Sequence, residues 1–457
     1  MPIRTALPAL LAVLAAAGAA APASALAGDP PAYVPGEVVV QYAPGTSPSE
    51  QAAIAGQVDG AVQAQPAPGQ AVVEVPRGTS VTAAASALAD QPGVQYAAPN
   101  PIARAAGAFV PNDPGRGGLR NWQRVQWNFL ADAGINAPEA WSNLIKLRRY
   151  GGRGVTVAVL DTGVAYANSG RFRRSPDFSA GQFVRGYDFV SHDPYPIDQN
   201  GHGTFVAGVI AERTNNGLGV TGLAYGAKVM PVRVLDSEGL GDAVTIAQGI
   251  RWAAQRGAKV INMSLEFDTS VTAGQIPGVL SALRYARSRG AVVVAASGNE
   301  ADDGVAYPAR AADVISVGAT TIHRCLADYS NFGPGLDIVA PGGGGDAALG
   351  SDPNCRPFEP AGPDIYQLTF KGSVARFSLV SGYQGTSMAT PHVSAAAALV
   401  IASGVAGANP SPIAVQRRLE ATARDLGPKG ADNYYGHGLL DAGAATRAPV
   451  ARVDPPK

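Results

Sequence analysis

Charge is scarce in this chain. Only 15% of its 457 residues are Asp, Glu, Lys or Arg, and 35 acidic residues balance 35 basic ones. A surface so balanced generates no long-range field to recruit a polyanion, which argues against nucleic acid and anionic membranes as partners. Cysteine is scarcer still. Cys325 and Cys355 are the only two, so at most one intrachain disulfide can form. Beyond residue 27 no run is long and apolar enough to cross a bilayer, and the body of the chain holds no internal repeat or long low-complexity tract. What is plentiful is apolar residues, 46% of the total, enough in a chain this long for two or three packed units.

The N-terminus differs from the rest. Arg4 precedes an alanine-rich apolar run from Ala6 that ends in Ala25-Leu26-Ala27, the small-residue pattern of a cleaved secretory signal. An uncleaved membrane anchor is the rival reading, but Pro8, Gly18 and Pro22 interrupt the run and alanine is poor spanning material. Residues 1–27 are therefore expected to be a signal peptide, and the product a secreted, soluble monomer with no membrane contact. Export to an oxidising compartment favours a Cys325–Cys355 disulfide over two buried thiols. The closed loop of about 30 residues would be worth about 3 kcal/mol in the chain-entropy model.

Residues 28–110 carry a pattern of their own. Glu37–Tyr42 alternates as a strand, Pro48–Gln57 is helix-like, Gln70–Val75 is a strand, Val81–Asp90 a helix and Gly93–Ala97 a strand. Together they read as a small α+β unit of split β-α-β-β-α-β type. From Arg104 to Arg120 glycine, proline, arginine and asparagine replace any hydrophobic period, which predicts a linker, placed at 111–125. The main domain then occupies 126–457. Its strand-like runs are Val155–Leu160, Lys228–Val234, Lys259–Met263, Ala291–Ala296 and Val314–Val317. Its helical patterns are Thr204–Glu212, Asp242–Arg256, Gln275–Arg289, Ser387–Ala402 and Pro412–Ala423. Apolar strands alternating with helices predict an α/β domain, a mainly parallel sheet with helices on both faces and ligands bound beyond the carboxyl ends of its strands. Residues 342–364 form a long segment without an assignable element.

Three short segments carry the chemistry: Val159-Leu160-Asp161-Thr162-Gly163, Asn200-Gly201-His202-Gly203-Thr204, and Gly385-Thr386-Ser387-Met388-Ala389-Thr390-Pro391-His392. Singly each has an ordinary reading. Asp161 suits a turn after a strand, the His202 tripeptide recurs at His437, and Ser387 suits a helix N-cap. Together they supply an acid, a base and a nucleophile. A serine hydroxyl attacks a carbonyl usefully only when an imidazole takes its proton and a carboxylate orients that imidazole. The order Asp, His, Ser distinguishes this set from the chymotrypsin and α/β-hydrolase orders.

On these motifs residues 121 to 445 resemble the subtilisin-like serine proteases. The resemblance implies a subtilisin-like fold and a serine endopeptidase that needs no cofactor for catalysis and takes polypeptide substrates. Gln384 stands where the family most often has serine, outside the nucleophile itself. Val94-Gln95-Tyr96-Ala97-Ala98-Pro99-Asn100 resembles the end of the family's propeptide, which implies a self-processed precursor whose own propeptide is an intramolecular inhibitor. A permanent N-terminal module is the alternative. Ala295-Ala296-Ser297-Gly298-Asn299 resembles the segment supplying the side-chain oxyanion donor, here Asn299, beside Ala296 and Gly298 in the substrate wall. Asn262-Met263-Ser264-Leu265-Glu266 resembles the strand that pairs with an extended substrate, so Ser264, Leu265 and Glu266 are expected to touch it.

Glu266 departs from the family's usual glycine. With Glu300, Asp302 and Asp303 near the expected pocket rim it would favour basic substrate side chains, but an exposed carboxylate is so easily solvated that solvent is the favoured destination. Asp177 and Asn216 align with loops that hold a structural calcium in many members, set against a reading as two surface turns. His437, before Leu439-Leu440-Asp441-Ala442, matches a structural segment of the family. Gly217-Leu218-Gly219-Val220-Thr221-Gly222 satisfies a dinucleotide-binding spelling, but a helix precedes it and a strand follows, the wrong order. A nicotinamide oxidoreductase is therefore remote. The remaining alternative is a catalytically silent binding or scaffold protein, which would have no need of a complete acid, base, nucleophile and oxyanion set.

Overall fold

The computed structural model describes residues 33–101, 109–116 and 121–448; the signal read over 1–27 lies outside them. The chain divides into two compact units, Met1–Gly107 and Ala108–Lys457.

The first unit is a four-stranded antiparallel sheet with two helices. Its elements run β1 (Tyr33–Tyr42), α1 (Pro48–Ala55), β2 (Ala61–Ala67), β3 (Gln70–Glu74), α2 (Val81–Ala89) and β4 (Val94–Pro101), and the strand order is β2-β3-β1-β4. Period-2 alternation in β1 buries Val38, Val40 and Tyr42 against Ala84, Ala85 and Leu88 of α2. Ser47 caps α1 reciprocally with Glu50, and Ser80 caps α2. Strand β2 had no legible span because Gln63, Gln65 and Pro66 break its apolar alternation. It lies at the sheet edge and is almost wholly exposed, where a proline is tolerated.

The second unit begins earlier than the linker reading implied. Asp113 and Trp122 are fully buried, and the Trp122 indole donates to the Pro111 carbonyl at 3.2 Å. Described residues on both sides of 117–120 are therefore packed into the main domain. Trp122, Phe129 and Trp141 of α3 (Ala137–Lys146) anchor this region in the larger core.

The sheet of this unit has seven strands in the order β11-β10-β9-β8-β5-β7-β6, every pair parallel. In chain order its elements are β5 (Thr156–Asp161), β6 (Tyr187–Asp188), α4 (His202–Ala211), β7 (Lys228–Arg233), α5 (Ala243–Gln255), β8 (Val260–Met263), α6 (Pro277–Ser288), β9 (Val292–Ala296), β10 (Ile315–Thr320) and β11 (Ile338–Pro341). An antiparallel hairpin, β12 (Ile365–Phe370) with β13 (Phe377–Tyr383), leads into α7 (Thr386–Ser403), followed by α8 (Pro412–Ala421) and α9 (Ala442–Thr446).

Helices cover both faces, and β5 shows how. Val157 and Val159 point into one core with α3, α4 and α7, while Ala158 and Leu160 point into a second core with α5 and α6. Helix α7 is alanine-rich on every side because it is buried all round, with Ala395 to Leu399 fully inaccessible. The unassigned segment 342–364 contains no regular element. It is fastened by the Cys325–Cys355 disulfide, by the Tyr435 hydroxyl donating to Asp352, and by Asp346, which accepts from Arg356 N and pairs with His323.

Candidate active site

Strand β5 lies at the switch point of the sheet, with the chain returning as β7 on one side and β8 on the other. The crevice beyond the carboxyl ends of such strands is where an open α/β sheet binds ligands. Asp161 is the last residue of β5, the segment Leu235–Gly241 follows β7, Ser264–Glu266 follows β8, and Asn299 follows β9. A cleft of about 400 Å³ opens there, lined by Thr162, His202, Ser264, Leu265, Glu266 and Ser387, with Glu238 and Leu240 on its far wall.

Asp161 is fully buried, and its Oδ1 accepts from His202 Nδ1 at 2.8 Å and from Thr162 N at 2.7 Å. Its Oδ2 has no hydrogen-bond partner among the described residues. A carboxylate fixed on Nδ1 selects the tautomer that leaves Nε2 free to accept a proton. Burial pulls the His202 pKa down, but the charge and hydrogen bond of Asp161, with a smaller contribution from Asp198, outweigh it and leave the imidazole above its ordinary value.

The two glycines about His202 are steric requirements. Gly201, the N-cap of α4, has φ +112, and a Cβ on Gly203 would lie 2.1 Å from the Gly163 carbonyl oxygen and 3.0 Å from Asp161 Oδ1. Asp198, missed by the sequence reading, organises this turn: it accepts from Thr162 Oγ1, Asn200 N, Gly201 N, Thr204 N and Thr204 Oγ1. Only its position four residues before His202 could have drawn attention to it.

Ser387 sits in the first turn of α7, where backbone N–H groups have no intrahelical acceptor and the helix dipole favours negative charge. Its Oγ donates to the Ser264 carbonyl at 3.2 Å. A serine hydroxyl has one proton, so delivery to His202 Nε2 requires a rotation about the side chain. Pro391 is the second peculiarity of this motif. It lacks the N–H that would bond the carbonyl four residues back, which is that of Ser387, and the Ser264 hydroxyl donates to that carbonyl at 2.8 Å instead. Ser264 Oγ also accepts from Asn262 Nδ2 (3.0 Å), and Asn262 Oδ1 accepts from Ser394 (2.8 Å). A polar seam thus ties α7 to β8 beneath the cleft. His392 is buried and structural: its Nδ1–H donates to the Met388 carbonyl, Asn128 Nδ2 donates to its Nε2, and burial lowers its pKa to about 4.

Asn299 lies beside the start of α7, its Oδ1 accepting from Thr386 N at 2.8 Å and from Thr386 Oγ1 at 3.1 Å. Its Nδ2 donates to both oxygens of Glu266, each at 3.1 Å. The solvent-directed placement favoured for Glu266 is therefore wrong, because the carboxylate is bonded to the half-buried Asn299 amide. Burial, and then the neighbouring charge of Glu300, push the Glu266 pKa up to about 7, against the opposing effect of the Asn299 hydrogen bond. Glu300 is occupied differently, its Oε2 accepting from Asn299 N and Asn331 Nδ2. Ala296 is buried at the end of β9, and Gly298, at φ +118, packs against Asn331. Neither lines the cleft, nor do Asp302 and Asp303.

Asp177 and Asn216 are brought together, Asn216 Nδ2 donating to Asp177 Oδ1 at 2.7 Å. Asp113, which the sequence reading left in the linker, completes the group by accepting from Asn215 N and Asn216 N. Asp177 Oδ2 is buried without a partner, and glycine at 219 leaves it room, since a Cβ there would stand 2.3 Å away. Burial is the main cause that pushes Asp177 up to about 8, and the Asp113 charge adds to it. Among the described residues no group of three His, Cys, Asp or Glu side chains is placed to hold a metal. A cation here would rest on the Asp113 and Asp177 carboxylates with the Asn216 side-chain amide, oxygen donors of the kind calcium takes.

His437 lies elsewhere, its N–H donating to the Asp337 carbonyl and its Nε2 3.9 Å from Glu420. Gly217–Gly222 falls between α4 and β7, the reverse of the order a dinucleotide site needs.

The family described as Peptidase S8, subtilase family, matches residues 152–438, and that described as fervidolysin N-terminal prodomain matches residues 19–100. A thermophilic serine proteinase of Bacillus sp. strain AK1 is 33% identical over 411 residues, covering 90% of this chain and 87% of its own. Subtilisin BL of Lederbergia lenta is 39% identical over 327 residues, 71% of this chain and all of its own length. Among solved structures, a protease of Pseudoalteromonas arctica superposes with a TM-score of 0.58 at 32% identity, covering 74% of this chain and 99% of that one.

Proposed function

The chain belongs to the subtilase family of serine proteases and carries a prodomain of fervidolysin type, and from that premise we propose that it cleaves polypeptides through Asp161, His202 and Ser387. The observation that carries this reading is the 2.8 Å bond from buried Asp161 to His202, in one cleft with the first-turn serine of a buried helix. Ser387 Oγ attacks the scissile carbonyl while His202 Nε2 takes its proton, and Asp161 stabilises the imidazolium. The tetrahedral oxyanion is held by the Ser387 N–H and Asn299 Nδ2. His202 then returns the proton to the leaving amine, and water hydrolyses the acyl-enzyme by the same steps in reverse order of roles. An extended substrate adds itself to the segment Ser264–Glu266 by β-augmentation.

The same reading includes export of a precursor, cleavage between the two units by its own active site, and inhibition by the prodomain until that cleavage is complete. Calcium held by Asp113, Asp177 and Asn216 would supply charge neutralisation to two buried carboxylates and has no part in the chemical steps. The test is expression of the full chain beside Ser387→Ala, with intact mass and casein hydrolysis as readouts. The parent is expected to lose its prodomain and digest casein, and the variant to remain full length and inert. A purified variant that still processed itself would overturn the proposal.

A further inference from the structure

We propose that Glu266 is a positioning residue for Asn299, whose carboxylate fixes the direction of the amide donor and, while charged, opposes the negative charge that develops on the scissile carbonyl oxygen. The inference rests on the reading of Asn299 as the oxyanion donor. The geometry leaves the amide no freedom. Thr386 N can only donate, so the atom 2.8 Å from it must be Asn299 Oδ1. A carboxylate accepts, so the atom 3.1 Å from both Glu266 oxygens must be Nδ2. That nitrogen carries two N–H groups, so one shared between the two Glu266 oxygens would leave the other for substrate. Glu266 lines the cleft and Asn299 stands behind it, so the carboxylate is the group through which the cleft meets the amide.

This arrangement carries an electrostatic cost. An oxyanion lies about 3 Å from its donor nitrogen, and the Glu266 oxygens lie 3.1 Å from the same nitrogen, so the two negative groups are at most about 6 Å apart. In a partly solvated cleft that repulsion slows turnover on the order of tenfold. The titratable groups facing Glu266 are Glu300 on the loop that carries Asn299, and His202 on α4 and Glu238 after β7 across the cleft. None of the residues lining the cleft is Lys or Arg, so nothing there offsets the charge. Burial holds the Glu266 carboxyl near neutrality, with a pKa of about 7, so the penalty grows as pH rises through that value.

Glu266→Gln separates the two roles, since its amide oxygen still accepts from Asn299 but carries no charge. The ratio of kcat for this variant to that of the parent is expected to rise about tenfold from pH 5.5 to pH 9, with KM little changed. His202 titrates in both proteins, so its pKa is read in each from the acid limb of kcat/KM and its contribution divided out of the ratio. Glu266→Ala, which also removes the acceptor, is expected to fall below Glu266→Gln at every pH. A pH-independent ratio would overturn the charge role, and equal kcat for the two variants would overturn the positioning role. A second measurement needs no turnover: in full-chain Ser387→Ala, the side-chain amide resonances of Asn299 should titrate near pH 7, and in the double variant with Glu266→Gln that transition should vanish. Resonances that never move in the first protein would refute the contact. Asn299→Ala is the control on the premise. If it leaves kcat intact, the oxyanion reading itself is wrong, whereas a large loss combined with a flat Glu266→Gln ratio isolates the failure to Glu266.

Discussion

Replacing Ser264 by alanine tests the way helix α7 is built. The Ser387 carbonyl has no helical donor because Pro391 stands four residues on, and the Ser264 hydroxyl fills that place at 2.8 Å. The same oxygen accepts from Asn262 Nδ2 at 3.0 Å. Ser264→Ala therefore leaves without partners the buried Asn262 amide and the half-buried Ser387 carbonyl. One such group costs roughly 1–3 kcal/mol, so the substitution is expected to cost about 3 kcal/mol in all. Unfolding entropy of about 2.1 cal/mol/K per residue, over the main unit Ala108–Lys457, converts that into a fall in Tm of about 4 °C. Pro391→Ala restores an N–H at position 391 and with it a helical donor for the Ser387 carbonyl, while the Asn262 amide stays unpartnered. Ser264→Ala should thus cost about 1–2 kcal/mol less in the Pro391→Ala background. The cycle is measured by calorimetry in the Ser387→Ala background, which keeps the carbonyl of residue 387 and removes self-digestion. Strict additivity, with coupling below about 0.5 kcal/mol, would refute the claim that Ser264 substitutes for the missing helical bond.

Opening the Cys325–Cys355 bridge, which closes a separation of 30 residues, is expected to cost about 3–4 kcal/mol in the chain-entropy model and about 5 °C in Tm; calorimetry of the double serine variant checks it, and an unchanged Tm would contradict it. Asn299→Ala should lower kcat by roughly 100- to 1,000-fold with little effect on KM, a range taken by analogy from removal of such a donor in a subtilisin. The acid limb of kcat/KM should lie above pH 6.5, because the imidazolium cannot accept the serine proton and Asp161 raises the His202 pKa. Activity is therefore lost as pH falls through that raised value, and a pH–rate profile with its midpoint below 6.5 would oppose the assignment. Chelator should lower Tm, and Asp177→Asn should blunt the chelator's effect, since calcium would relieve the unpartnered Oδ2 of Asp177.

Much of the scaffold was legible because its signals are local. Each of the strand runs predicted from apolar stretches in the main domain lies within a residue or a few of β5, β7, β8, β9 or β10, and the helical periods match α4 to α8, while α3, α9 and β11 had no predicted counterpart. Helix α3 escaped although its buried Ala137, Ala140, Trp141 and Leu144 follow a helical period, whereas three other misses lacked one. Strand β6 has two residues, β2 is a polar edge strand, and the hairpin β12–β13 follows a long coil whose fastening depends on a disulfide and on Tyr435, about 80 residues further on. The linker reading failed for a related reason: Asp113 is held by the distant Asn215 and Trp122 packs into the core against Trp141, partners that no local sequence pattern announces.

By itself the sequence determined which groups are available and roughly where each stands on its strand or helix: a carboxylate ending a strand, an imidazole between two glycines, a serine opening a helix, an asparagine after a strand. These follow from short-range sterics and periodicity, which a few consecutive residues contain in full. Tertiary structure alone decided what those groups touch. Packing α7 against β8 gave the Ser387 carbonyl its donor in Ser264, and the close of β8 toward the loop after β9 turned Glu266 onto Asn299. Hydrogen bonds between residues 33 and 123 positions apart have no periodicity to betray them, because their partners are chosen by the folded backbone.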